Sequence, residues 1–209
     1  MMARFLFIPI FVSIMVLFQG PGYAQDIRAR TENGREVILK NNGTWVFVDA
    51  GKSSPDSGSF QKSAKSTSVF TAKGGKVSVW FDPSKWTLTE SDKAGKTTFG
   101  HVDGDVYALL IYERLGMTLA GLKDIAFKNA KKAAPDAKIT YEEKRKVNGK
   151  EILCMKIAAT FESINFVYYG YYYAGKEGTV QLLTYTSENL FQEYEPAMTE
   201  FLNGFVVQD

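Results

Sequence analysis

Three strand-like runs of hydrophobic residues follow one another between residues 150 and 186. They cover 150–161, 164–173 and 179–186, and short polar breaks at 162–163 and 175–178 separate them. Consecutive β-rich runs with short polar breaks are typical of antiparallel strands. Their hydrophobic residues fall on both alternating faces, which indicates strands that are covered on both sides. The pattern predicts the centre of a sheet with material packed above and below it.

Two helices are predicted around this sheet. Residues 118–134 carry hydrophobic residues at spacings of three and four, which is the period of an amphipathic helix. Thr118 is in position to cap this helix, and Pro135 ends it. Near the end of the chain, Pro196 is expected at the first position of a second helix, with Gly204 marking its end. The apolar face of this second helix consists of Met198, Phe201, Leu202 and Phe205.

Alternating hydrophobic and polar residues also predict strands before the first helix. The runs lie at 76–81, 87–89, 97–99 and 106–112. Asp103-Gly104, between the last two runs, is a typical hairpin turn, because glycine adopts positive φ without strain. We expect these strands to continue the sheet.

The first 24 residues have the features of a cleavable secretory signal. Arg4 is followed by an apolar run at 5–18, and small residues stand at Gly22 and Ala24. The apolar run falls short of the roughly 20 residues that a membrane-spanning helix needs. We therefore expect cleavage after Ala24, a periplasmic or secreted bacterial location, and no transmembrane segment in the mature chain.

Residues 25–49 are expected to form a small three-stranded β-meander. Asn-Gly dipeptides at 33–34 and 42–43 separate its runs, and this dipeptide favours the positive φ values of a tight hairpin turn. Its Gly-x-x-Val-x-Leu and Asn-Gly-Thr-Trp motifs resemble a short element near the start of many bacterial envelope proteins. Residues 50–67 are rich in Ser, Gly, Lys and Asp, which predicts a flexible linker.

Net charge and cysteine content bear on the class of protein. The formal charge of +2 falls to +1 when Arg4 is removed with the signal, so charge gives no reason to expect a nucleic-acid partner. Cys154 is the only cysteine, so neither an internal disulfide framework nor an acylated N-terminal cysteine can form. The mature chain is therefore expected to hold together through its core, to which the 14% of aromatic residues contribute.

Two short motifs flank the main domain. The first reads aromatic-Asp-Pro-x-x-Trp over 81–86, and the second reads Tyr-x-Pro-x-Met-x-x-Phe-Leu-x-x-Phe over 194–205. Together with the order of strands and helices, they resemble the PsbP-like superfamily, which includes the extrinsic photosystem subunit and bacterial DcrB-like envelope proteins. The resemblance covers roughly residues 68–207 and implies an α/β/α sandwich. It also implies a non-enzymatic accessory or binding role in an exported or lumenal compartment, without choosing among such roles.

The residues that usually build metal and catalytic sites are sparse. His101 is the only histidine, and without histidine or cysteine companions it does not predict a zinc site. Cys154 stands between Leu153 and Met155 in a predicted strand, where cysteine packs as a small hydrophobic residue. The aspartates near the Asp103-Gly104 turn lack the spacing of a helix–loop–helix calcium site. We expect no cofactor, no metal and no enzymatic activity.

Five tyrosines at 168, 169, 171, 172 and 173 are the most unusual local feature. On a strand, the tyrosines at 169, 171 and 173 share one face, and those at 168 and 172 share the other. One set is expected to pack under a helix, while an accessible set would form a platform for a partner. The candidate ligand or partner face consists of Tyr169, Tyr171, Tyr173 and Trp86.

These observations predict an α+β fold, in which residues 68–209 form an antiparallel sheet flanked by helices, preceded by the small meander. They favour an exported, non-catalytic accessory or binding protein of the bacterial envelope, with a protein, a peptide or a saccharide as its partner. Two alternatives stay open. One is a hydrolase that acts on envelope polymers through Asp82, Glu90 and Asp103, and the other is a structural subunit that docks through the meander and linker.

Overall fold

The structure is a computed structural model that describes residues 27–30, 36–39, 45–47, 59–92 and 95–208. The predicted signal segment with its cleavage site lies outside these residues, as does the first half of the predicted linker, residues 50–58. The chain divides into two compact units, Met1–Pro55 and Asp56–Asp209, which we describe separately.

The first unit contains a three-stranded antiparallel sheet. Its strands β1 (Ile27–Arg30), β2 (Glu36–Leu39) and β3 (Trp45–Phe47) pair in chain order. This order confirms the predicted meander.

The second unit is built on two antiparallel sheets. Its strands are β4 (Ser68–Thr71), β5 (Val77–Phe81), β6 (Trp86–Ser91), β7 (Lys96–His101), β8 (Tyr107–Glu113), β9 (Lys138–Val147), β10 (Lys150–Phe161), β11 (Ile164–Gly175), β12 (Gly178–Ser187) and β13 (Phe205–Val207). The main sheet has the order β6-β7-β8-β12-β11-β10-β9, and the small sheet has the order β13-β5-β4. The antiparallel α+β class is confirmed. However, the run at 76–81 belongs to the small sheet rather than to the main one.

The first helix, α1 (Leu119–Ala133), is as predicted. The N–H of Gly121 donates to Thr118 Oγ1 at 3.1 Å, so the threonine side chain satisfies one of the free donors of the first turn. Leu122 and Ala126 of α1 pack against a set of β10 and β11 side chains that includes Leu153 and Met155.

The second helix, α2 (Phe191–Leu202), follows a short 3₁₀ turn at Glu188–Leu190. It packs Met198, Phe201 and Leu202 against the strand residues of the opposite parity, among them Ile152 and Cys154. The two-sided pattern of β10 is therefore confirmed. Neither helix in the described part of the chain is long and apolar enough to cross a membrane.

Two details of the chain end differ from the sequence prediction. The helix begins five residues before Pro196, so this proline lies inside α2 rather than at its first position. Phe205 leaves the helix and pairs with Val79 in the small sheet, because the turn at Gly204 ends α2. The ring of Phe191, in the first turn of α2, contacts the ring of Tyr169 at a centroid distance of 6.1 Å. This packing explains why α2 begins earlier than predicted.

Candidate ligand-binding face

The four side chains that were predicted to form a ligand face are buried. Tyr169, Tyr171, Tyr173 and Trp86 are 2%, 1%, 8% and 2% exposed. They belong to one core cluster that also contains Phe201 and Phe205. In this structure they do not form an accessible platform, because the alternate tyrosines of β11 point to the side of the sheet that α2 covers.

The hydroxyls of two of these tyrosines contact a cation that is mostly buried. Arg145 on β9 is only 11% exposed; its Nη1 donates to Tyr169 Oη at 2.7 Å, and its Nε donates to Glu143 Oε2 at 2.8 Å. The guanidinium also lies over the ring of Phe60, 4.6 Å from the centroid. Tyr171 Oη donates to Asn203 Oδ1 at 2.8 Å, and burial raises the pKa of Tyr171 to about 12. Since each of these groups is bonded to a neighbour inside the fold, the cluster stabilises the interior.

Cys154 lies beside this cluster and is completely buried. Burial raises the pKa of its thiol to about 11. The nearby Arg145 charge lowers this pKa, but its effect is smaller than that of burial. The thiol is therefore protonated at neutral pH, and a protonated buried thiol is a poor nucleophile. The structure agrees with the packing role that the sequence predicts for Cys154.

Each acidic residue of the hydrolase alternative has its own local surroundings. The Asp82 carboxylate accepts hydrogen bonds from the N–H and the hydroxyl of Ser84, at 2.9 and 2.7 Å, and these bonds lower its pKa. Glu90 lies four residues along β6 from Trp86, or about 13 Å at the usual rise of a strand. Asp103 Oδ2 is 3.4 Å from Nδ1 of His101, whose ring packs against Trp86. Within the described ranges, no three His, Cys, Asp or Glu side chains are grouped to hold a metal ion.

Three other tyrosines form a row on the opposite face of the main sheet. Tyr168 on β11 pairs with Tyr185 on β12, which pairs with Tyr107 on β8. The ring centroids are 5.4 Å apart between Tyr168 and Tyr185 and 5.5 Å apart between Tyr185 and Tyr107. The ring planes differ by 28° and 24°, so the rings are stacked. We call Tyr107, Tyr185 and Tyr168 the aromatic row.

The aromatic row is partly open to solvent. Tyr107 is 44% exposed, while Tyr185 and Tyr168 are half-buried. Burial raises the pKa of Tyr168 and of Tyr185, so both phenols stay neutral and able to donate a hydrogen bond at physiological pH. At the hairpin end of β10 and β11, Phe161 and Ile164 are 50% and 52% exposed on the same face. An accessible group of apolar and aromatic side chains of this kind commonly marks an interaction site.

Two members of the aromatic row were not singled out from the sequence. Tyr185 is the only tyrosine of β12, and Tyr107 shares β8 with Tyr112, which has the opposite parity. Tyr107 and Tyr185 are 78 positions apart in the sequence, and only the pairing of β8 with β12 brings them together. The signal that could have found them is parity. Once the register is known, direct cross-strand partners must share a face.

Comparison with known proteins gives the fold. No family model matches the sequence, and no curated protein matches it. Among solved structures, cyanobacterial PsbP (CyanoP) from Synechocystis sp. PCC 6803 is similar with a TM-score of 0.52 at 11% identity, over 70% of this chain and 95% of that one.

Two further structures are similar at lower scores. LpqN, involved in cell envelope biogenesis of Mycobacterium tuberculosis, has a TM-score of 0.47 at 11% identity, over 68% of this chain and 90% of that one. The protein of unknown function PA94 from Pseudomonas aeruginosa has a TM-score of 0.46 at 8% identity, over 88% of this chain and 98% of that one. The likeness to CyanoP, together with the sheet order and the two helices of the described residues, shows that this chain has a PsbP-like fold.

Proposed function

We propose that this chain is an exported, non-catalytic accessory or binding protein of the bacterial envelope, and that the aromatic row is its binding surface. The observation that carries the proposal is the stacked arrangement of Tyr107, Tyr185 and Tyr168 on a sheet face where Tyr107 keeps 44% of its surface exposed. Tyrosines are enriched where partners bind, since each offers a large rigid ring and a hydrogen-bonding hydroxyl.

Export rests on the signal features of the first 24 residues, and the layered α/β/α arrangement rests on the resemblance to PsbP-like proteins. LpqN is involved in cell envelope biogenesis of Mycobacterium tuberculosis. A comparable location for this chain is part of the proposal. Export itself is tested by expressing the full chain in a bacterial host and measuring the mass of the periplasmic form, which should begin at Gln25.

The binding role is tested with the exported protein and a washed envelope fraction of its host. The double variant Tyr107→Ser/Tyr185→Ser removes two rings of the row, and Val69→Ser, on β4 of the small sheet, removes an apolar side chain of similar exposure. We expect the double variant to cosediment with the envelope roughly tenfold less than the unaltered protein, because tyrosine is enriched among the interface residues whose removal costs more than about 1 kcal/mol. The Val69→Ser control should cosediment normally.

The cosedimentation comparison requires folded variants, and either result bears on the role of the aromatic row. Circular dichroism must show that both variants remain folded, so that a loss of binding is not a loss of structure. Equal cosedimentation of the double variant and the control would contradict the assignment of the aromatic row. The hydrolase alternative is tested separately with Asp82→Asn, Glu90→Gln and Asp103→Asn, since an enzyme would lose envelope-degrading activity in at least one of them without losing stability.

A further inference from the structure

The aromatic row ends at a position that has no side chain. Tyr107 pairs directly with Gly100 on β7, and Gly100 pairs with Thr87 on β6. A Cβ built on Gly100 would meet only one atom within 4 Å, the hydroxyl oxygen of Thr89 at 3.5 Å. A side chain would therefore fit above Gly100, beside the ring of Tyr107, with the Thr89 hydroxyl in contact at its edge. We call this place the Gly100 notch and define it by Gly100, Tyr107 and Thr89.

The size of the notch follows from the geometry of the row. Tyr185 lies on one side of Tyr107 with a centroid distance of 5.5 Å, and Gly100 is the cross-strand partner on the other side. Direct cross-strand partners have Cβ atoms about 4.5–5.5 Å apart, which is also the separation of stacked rings. A six-membered ring placed over Gly100 would therefore stack on the free side of Tyr107 and continue the row.

The border of the notch is polar. Thr87, Thr89 and Glu90 on β6 are exposed, and Thr98 is half-buried two residues before Gly100 on the same face. A small depression of about 70 Å³ next to it is lined by Glu90, Asp92, Lys96 and Thr98. This depression extends the polar border to the end of the β6–β7 hairpin.

The ring of Tyr107 and the polar border of the notch together favour one class of ligand. A pyranose with equatorial substituents has apolar C–H faces and a rim of hydroxyl groups. Its face would lie on the Tyr107 ring, and its rim would meet the threonine hydroxyls and the Glu90 carboxylate. An aromatic side chain of a peptide would stack on the ring, but it has no rim of hydroxyl groups to meet this polar border.

We propose that the Gly100 notch binds one pyranose unit of a β-linked saccharide, stacked on Tyr107. This inference rests on the proposed function, because it names the ligand class of the same binding surface. Gly100 is then a specificity-determining residue, since any larger side chain at position 100 would occupy the place of the sugar ring.

The test uses the exported protein with chitotriose and cellotriose as probes, because both present β-linked pyranose rings. We expect saturable amide chemical-shift changes in at least one titration up to about 10 mM, centred on residues 98–100 and 107. Gly100→Val fills the notch, and the space around Gly100 tolerates a Cβ at an ordinary contact distance. This variant should weaken the binding at least about tenfold. The matched control Gly116→Val, at a glycine with nothing within 4 Å of a built Cβ, should titrate like the unaltered protein.

Other results would overturn the inference. The notch does not bind a saccharide if neither probe shifts these amides, or if Gly100→Val binds as well as Gly116→Val. A shift of the same amides by N-acetyl-tryptophanamide, without a shift by either sugar, would assign the notch to a peptide side chain instead. If Gly100→Val still cosediments with the envelope and the double tyrosine variant does not, this inference fails while the proposed function stands. If neither variant changes cosedimentation and no sugar binds, both fail.

Discussion

Arg145 is a cation that the fold removes almost entirely from water. Three groups replace the water that its guanidinium loses: the Glu143 carboxylate at 2.8 Å, the Tyr169 hydroxyl at 2.7 Å and the ring of Phe60. Breaking a buried ion pair by removing one partner is costly, because the other charge is left without its donor. We expect Arg145→Ala to lower the free energy of unfolding by about 3 kcal/mol, measured by urea denaturation.

The neighbouring residue Lys144 supplies the control for this substitution. Lys144 is 73% exposed, and its Nζ lies 3.4 Å from Glu151 on the adjacent strand. Exposed ion pairs contribute at most about 1 kcal/mol, so Lys144→Ala should change the stability by no more than that. Similar losses for the two variants would show that Arg145 acts as a surface charge.

At the scale of elements, Gly204 fixes the turn between α2 and β13. A Cβ at this position would lie 1.8 Å from the carbonyl oxygen of Trp80, whose N–H donates to the Gly204 carbonyl at 2.8 Å. Asn148 Nδ2 donates to the carbonyls on either side of this glycine, at 2.8 and 2.7 Å. Gly204→Ala must therefore displace β13 from β5, and we expect a loss of about 3 kcal/mol in a denaturant titration. Gly116→Ala, which has open space around it, should stay within about 0.5 kcal/mol of the unaltered protein, and an equal effect of the two alanines would refute this role.

Elements joined by a local turn could be predicted from the sequence. The hairpins of β10, β11 and β12 are closed by short breaks, and positive φ values at Glu162, Ser163 and Gly178 occur where turns were expected. The strand β9 was missed because two of its inward positions carry Glu143 and Arg145, which hide the alternation. The pairing of Tyr185 with Tyr107 joins distant segments, so no local pattern could place both in one row.

At the scale of the whole second unit, the two faces of the main sheet differ. One face carries the large core cluster, to which α2 and the small sheet contribute Phe201 and Phe205. On the other face, Leu122 and Ala126 of α1 cover part of the sheet, and the aromatic row lies beside the covered part. The sequence shows that β11 has tyrosines on both faces, but the covered face depends on where the helices pack. This is why the candidate face at Tyr169 was assigned to the buried side.

The contacts of Phe60 bear on where the folded second unit begins. Phe60 falls in the predicted linker, yet its N–H donates to the Lys146 carbonyl at 2.9 Å and its carbonyl accepts from the N–H of Asn148 at 2.9 Å. Its ring also lies under Arg145. Because the described core begins at this residue, a fragment of residues 56–209 should unfold cooperatively with the melting temperature of the exported protein. A fragment of residues 68–209, which starts at the boundary predicted from sequence, should lose about 2 kcal/mol through the missing ring and two backbone hydrogen bonds. Equal melting temperatures for the two fragments would show that the segment around Phe60 does not stabilise the domain and that the boundary at 68 is correct.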